Sequence, residues 1–245
     1  MKRIRLGILQ TNHDKSIEVG DAFPDDAHRF RDLFDLQEQR FQYRVYMTIG
    51  GEVPADLDEQ DAYMITGSPL SVLDQHVFTD ALMDFIRHCD AVRKPLFGAC
   101  FGHQAIALAL GGSVERSAAG YNVGIEDTVF DSYRPWMSPK VDTLSMYMFH
   151  EDQVTALPPG SDRLGSSRHC VNASFAKGDH IFTTQSHPEF THDFMACVLR
   201  YTESKIPGAQ AEATWQAAWA SLQQQTRGDL FGTWCAHFFK HALSQ

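Results

Sequence analysis

Short apolar runs alternate with stretches whose apolar residues recur at helical spacing, and the alternation holds from the start of the chain to Leu110. Residues 4–9 form an apolar run of the kind buried on both faces of a sheet. Residues 27–36 then place Phe30, Leu33 and Phe34 on one side of a helix. Residues 41–48 alternate as a strand through Tyr43, Val45 and Tyr46, and residues 61–66 make a short buried strand ending in Gly67-Ser68-Pro69. Residues 78–92 predict an amphipathic helix, and residues 95–97 with the small residues after them predict another strand. Such alternation predicts βαβ units, hence a mainly parallel sheet between two layers of helices.

The texture changes from Gly112 to His187. Short β-like stretches at residues 123–130, 143–149, 172–175 and 181–185 are separated by turns containing Pro and Gly, which predicts a mixed or antiparallel extension of the sheet. After Pro188 the pattern is helical to the end. Trp215 and Trp219 sit four apart, and Leu230, Phe231, Trp234 and Phe238 make a second stripe. Such stripes predict helices that cap the sheet. No repeat or linker divides the chain, so one domain over residues 1–245 is expected, with a catalytic core at about 1–200 and a helical extension at about 201–245.

Composition narrows the function. At 245 residues and 43% hydrophobic content the chain can bury a sizeable core. No apolar run approaches the roughly 20 residues needed to span a bilayer. The basic start, Met1-Lys2-Arg3, leads into an apolar stretch too short for a signal peptide, so a cytoplasmic protein is expected. A net charge of −10 without a basic stripe argues against nucleic acid as a partner. The five cysteines, Cys89, Cys100, Cys170, Cys197 and Cys235, are scattered and lack any C-x-x-C, which speaks against disulfides or zinc and leaves room for a single reactive thiol.

That thiol has a candidate in Gly98-Ala99-Cys100-Phe101-Gly102-His103-Gln104, which follows a short apolar strand and opens a helix rich in Ala and Leu. The pattern is a nucleophile elbow with sulfur as the nucleophile. A turn this sharp strains the nucleophile's backbone, and glycines on either side let neighbouring chains approach. The cysteine would project above the C-terminal edge of the sheet at a helix N-terminus, where thiolate is favoured. A base is available in Ser186-His187-Pro188-Glu189. Residues two apart in extended chain face the same side, and Pro188 biases His187 away from helical geometry. Glu189 can therefore orient the imidazole and support its charged form. His103 and His150 compete for the role of base, but His103 has no carboxylate beside it.

The two segments together resemble the class I glutamine amidotransferases, in particular stand-alone relatives of the glutaminase half of GMP synthetase. Tyr63-Met64-Ile65-Thr66-Gly67-Ser68-Pro69 resembles the family's strand that supplies an oxyanion-hole N–H. Met148-Phe149-His150-Glu151-Asp152-Gln153-Val154 resembles its His-x-Asp-x-Val strand, whose backbone flanks the bound glutamine; Glu151 stands where the family often has Gly. The resemblance implies a flavodoxin-like three-layer α/β fold, with Cys100 as nucleophile, His187 as base and Glu189 as its orienter. It also implies an oxyanion hole from the N–H groups of Gly67 and Phe101. Gln104, Phe149, His150 and Asp152 are implied at the substrate, with no metal and no cofactor.

The implied reaction is hydrolysis of the γ-amide of glutamine through a thioester on Cys100, with release of ammonia. The substrate is a small molecule, and the ammonia is either freed or passed to a separate synthetase, since no Gly-x-x-x-x-Gly-Lys-[Ser/Thr] loop or spare length exists for an ATP-using domain. A γ-glutamyl peptidase acting through the same thioester is a second reading, and a catalytically silent binding protein on this fold a third. The polar connection at residues 10–26 is long enough to overhang the site and select the leaving group.

Overall fold

The computed structural model of the protein describes residues 3–203, 205 and 209–245. Met1 and Lys2 of the basic start, and residues 204 and 206–208 of the C-terminal extension, lie outside the described residues. The first half of the chain contributes β1 (Ile4–Leu9), α1 (Asp26–Asp35), β2 (Phe41–Tyr46), β3 (Ala62–Ile65), α2 (Thr79–Ala91), β4 (Leu96–Ala99) and α3 (Phe101–Ala109). The strands β5 (Ser113–Arg116), β6 (Asn122–Phe130), β7 (Thr143–His150), β8 (Asp152–Ala156), β9 (Ser161–Ser166), β10 (Ser174–Lys177) and β11 (Ile181–Thr184) follow. The chain closes with α4 (His192–Glu203), α5 (Ala209–Ser221) and α6 (Gly228–Ala242).

Nine strands form one sheet in the order β2-β1-β3-β4-β11-β10-β9-β6-β7. The five strands from β2 to β11 are parallel, and the remaining four extend the sheet antiparallel. Helices cover both faces of the parallel part, because β1, β3, β4 and β11 present apolar residues alternately to each side. On one face α1 and α6 pack over Leu6, Ile8, Met64, Phe97 and Phe182. On the other, α2 and α3 pack over Leu9, Tyr63, Ile65, Leu96 and Ile181. This is the three-layer α/β arrangement expected. No helix among the described residues is long and apolar enough to cross a membrane.

Three details differ from the pattern-based expectation. Residues 181–185, expected in a mixed or antiparallel extension, supply β11 at the centre of the sheet, a parallel neighbour of β4 in register Thr184 to Ala99. All four of its residues are buried, so it needs cover on both faces, which only the centre of the sheet provides. The strands β5, β8 and β9 carry too few buried apolar residues to leave a periodic signal. Helix α6 does more than cap the sheet, since Phe231, Trp234, Phe238 and Phe239 are all fully buried within the core. Trp215 on α5 belongs elsewhere, in a separate cluster with α4 and the antiparallel strands.

The Phe231 ring stacks on Phe182 at 5.2 Å and meets Phe97 and Phe130 at 6.3 and 6.5 Å. Phe231→Ala should therefore cost about 3–5 kcal/mol in urea unfolding. A loss below about 1 kcal/mol, the range of an ordinary surface change, would show α6 to be peripheral.

Candidate active site

Strand β4 ends at Ala99 and helix α3 begins at Phe101, so Cys100 alone makes the turn between them. Its backbone lies at φ 49°, ψ −104°, a region a side-chain-bearing residue occupies at a cost of order 1–3 kcal/mol. Packing holds it there. A Cβ on Gly98 would fall 2.6 Å from the Gly102 carbonyl oxygen, and one on Gly102 would fall 2.5 Å from the Ile65 carbonyl oxygen. Helix and strands thus approach to distances that only glycine allows. The Cys100 N–H donates to the Thr184 carbonyl at 2.8 Å, which locks the turn to β11.

Because β11 runs parallel beside β4, the chain leaving it passes next to the thiol. His187 is pinned by its N–H to the Tyr147 carbonyl at 2.8 Å. Its Nδ1 meets Glu189 Oε1 at 2.8 Å, which leaves the other ring nitrogen for the thiol. The three groups are buried together: Cys100 is 4% exposed, and the His187 and Glu189 side chains 5% and 0%. Gly67 lies against the pair, where a Cβ would sit 2.8 Å from His187 Cε1 and 3.6 Å from Cys100 Cβ. The Gly67 N–H has no backbone acceptor among the described residues, and the Phe101 N–H opens α3, where no intrahelical acceptor exists. A cavity of about 580 Å³ counts Gly67, Phe149 and His187 among its lining residues, while Cys100 lies just behind them, outside the lining.

Residues 36–197 match the family model described as Glutamine amidotransferase class-I. The chain belongs to this family.

Among relatives, this class I amidotransferase is 29% identical over 166 residues to gamma-glutamyl peptidase 3 of Arabidopsis thaliana, which spans 64% of this chain and 67% of that protein. It is 32% identical over 145 residues to the glutamine-hydrolyzing GMP synthase of Pyrobaculum aerophilum, covering 57% of this chain and 26% of that much longer protein. Among solved structures, a glutamine amido transferase from Methylobacillus flagellatus superposes with a TM-score of 0.72 at 22% identity, over 99% of this chain and 95% of that one.

The other sequence-nominated residues of the amidotransferase divide. The Phe149 carbonyl lies 3.9 Å from Cys100 Sγ, and its side chain lines the cavity and stacks on Trp215 at 6.3 Å. Gln104, His150 and Asp152 are not among the lining residues. The Gln104 side-chain amide donates to the Asp152 carbonyl at 2.7 Å and to Gln185 Oε1 at 3.1 Å. His150 donates from Nδ1 to the Asp152 carbonyl at 3.0 Å and faces the Asn122 amide at 3.3 Å. The Asp152 carboxylate accepts from Ser71 and, at 3.4 Å, from Arg116. The expected continuous His-x-Asp-x-Val strand is broken at Glu151: β7 ends at His150 in the large sheet and β8 starts at Asp152 in the small one. Glu151 faces Arg116 at 3.3 Å, so the bend is tied to the surface. His103 hydrogen-bonds Thr183 at 2.8 Å and does not reach the thiol.

One neighbour of the His187 imidazole carries no role in the sequence motif. The Phe190 ring stacks on His187 at 4.0 Å and 18°, and Phe194 meets it edge-on at 4.6 Å. The Arg29 guanidinium, paired with Asp26 at 2.7 Å, lies 3.8 Å over Phe194. A residue following a His-x-Glu motif carries no sequence signal of such stacking.

Electrostatics separates the three candidate bases. Burial pushes His103 and His150 down to about 3, so both are neutral. Burial works on His187 in the same direction, but the charges and hydrogen bonds of Cys100 and Glu189 outweigh it and hold the imidazolium up at about 10. Activity should therefore fall on the alkaline side near pH 10, as the proton needed by a leaving amine is lost. Glu189→Gln removes one of the charges that raise His187, so this limb should move to lower pH while kcat drops; an unmoved limb would separate Glu189 from the imidazole's titration. For stability the neutral histidines act oppositely. The unfolded chain takes protons near 6.5 that the fold refuses until about 3, so stability should fall as pH drops below 6.5. Urea midpoints measured from pH 7.5 downward should show this, with the slope reduced by about one proton in His103→Leu.

Proposed function

We propose that this protein hydrolyses a γ-glutamyl amide through a thioester on Cys100. The observation that carries the reading is the buried thiol–imidazole–carboxylate line, Cys100 to His187 to Glu189, whose imidazole lines a cavity. The thiolate attacks the γ-carbonyl carbon, and the oxyanion forms between the N–H groups of Gly67 and Phe101. Each such donor contributes on the order of 3 kcal/mol in hydrolases. The C–N bond then breaks as the His187 imidazolium gives its proton to the nitrogen, and the amine departs. His187, now neutral, takes a proton from water, whose oxygen attacks the thioester. The C–S bond breaks, glutamate leaves and the thiolate–imidazolium pair is restored. The step sequence balances with water as the one co-reactant.

The same chemistry serves two leaving groups. The gamma-glutamyl peptidases of Arabidopsis thaliana favour release of a substituted amine, and a cavity of this size falls within the roughly 300–1,000 Å³ that accommodates organic ligands, far beyond what ammonia needs. The likeness to GMP synthase favours a second reading, in which glutamine is the substrate and ammonia passes to a separate synthetase.

Purified protein given glutamine and a panel of γ-glutamyl amides should release glutamate, and Cys100→Ala or His187→Ala should lower the rate by at least about a thousandfold. Turnover of these substrates that survives in Cys100→Ala would remove the thioester reading. Stimulation of glutamine turnover by an added synthetase would favour ammonia transfer.

A further inference from the structure

The geometry points to a leaving-group subsite that selects amines bearing an uncharged apolar group, a reading that rests on the γ-glutamyl hydrolase function above. The cavity beside Cys100 is walled by two segments outside the catalytic motifs. One is the connection between β1 and α1, which contributes Val19 and Phe23; the other is α4, which contributes Phe194 and Val198, with Phe190 at its base. The γ-carbonyl carbon must sit over the thiol, next to Gly67 and His187. Gly67 and His187 belong to the cavity's lining, so whatever is bonded to the amide nitrogen can extend along the remaining lining residues.

The wall is built rather than incidental. The Asp14 carboxylate accepts from the Ser16 N–H at 2.8 Å, and the Phe23 N–H donates to the Val19 carbonyl at 3.0 Å. Asn12 donates to Asp26 at 2.8 Å, and the Cys197 thiol of α4 donates to the Glu18 carbonyl at 3.1 Å, tying the connection to the helix across the cavity. The Phe23 and Phe194 rings meet edge-on at 5.4 Å, so the two walls are in aromatic contact.

The charged groups around the cavity disfavour a leaving group with its own carboxylate. Arg29 is ion-paired with Asp26, Arg31 with Asp32 and His28 with Asp25, at 2.7, 2.9 and 2.6 Å. A free α-carboxylate, as in the amino acid released from a dipeptide, would meet Asp14 and Asp25 in the lining while Arg29 and Arg31 are already engaged by carboxylates. An amine with an aryl or alkyl chain and no carboxylate instead meets aromatic and branched aliphatic surface.

The test compares kcat/KM for γ-glutamylphenethylamide, γ-glutamylphenylalanine, γ-glutamylglycine and glutamine. The phenethylamide should exceed each of the others by at least about tenfold. Val198→Asp, checked for folding by thermal melting, should reduce the phenethylamide-to-glutamine ratio by about tenfold or more, and Val198→Ala by less. Equal values across the four substrates, a preference for either dipeptide, or turnover of glutamine alone would overturn the subsite and leave the thioester chemistry standing. No hydrolysis of any of the four would overturn the underlying function, and this inference with it.

Discussion

The left-handed turn at Cys100 is the constraint on which the site depends. A single residue at φ 49° converts the end of β4 into the start of α3, so the side chain stands clear of both elements. Nothing intrinsic to cysteine favours that backbone. It persists because Gly98 and Gly102 let α3 settle against β3 and β4 at distances no side chain would permit, and because the Cys100 N–H is tied to β11. The strain is local and the support is global: the whole parallel core has to form before the turn is favourable.

The same parallel pairing places His187 beside the thiol. β11 runs beside β4 in matching register, so His187, three residues past its end, arrives next to a thiol 87 positions earlier in the chain. Burying an imidazolium alone would be prohibitive. Here the interactions of His187 with Cys100 and Glu189 outweigh its desolvation and hold it up at about 10. Helix α6, beyond the segment matched to the family, contributes from behind: Gly228 packs on the Pro188 carbonyl between base and orienter, and the Arg227 N–H donates to Ser145 of β7. The end of the chain thus reaches the catalytic segment by direct contact.

Outside this core, polar residues near the site bond to one another. Gln104, His150 and Asp152 form a bonded group that holds the bend between β7 and β8. Their burial keeps both His150 and the neighbouring His103 neutral, which confines the site's positive charge to His187. The cavity draws its surface from other elements, the β1–α1 connection and α4, whose residues are free to differ without disturbing the turn.

Much was legible in the linear pattern because it is local. The alternation of buried strands and amphipathic helices through Leu110 states the α/β class, and residues 4–9 become β1 at the same bounds. The Gly-x-Cys-x-Gly segment states a strained turn because only close approach explains both glycines, and His187 with Glu189 states a paired imidazole because two residues in extended chain share a face. What the sequence could not supply depends on long-range contact. Strands β5, β8 and β9 exist only through their partners, β11 joins the parallel sheet only because both its faces need cover, and the break at Glu151 follows from β7 and β8 entering different sheets. Phe190 on the imidazole, α6 behind the carboxylate and α4 across from the β1–α1 connection are likewise tertiary facts. Residue spacing encodes which side chains share one element's face, whereas the meeting of two elements is decided by how the whole core packs.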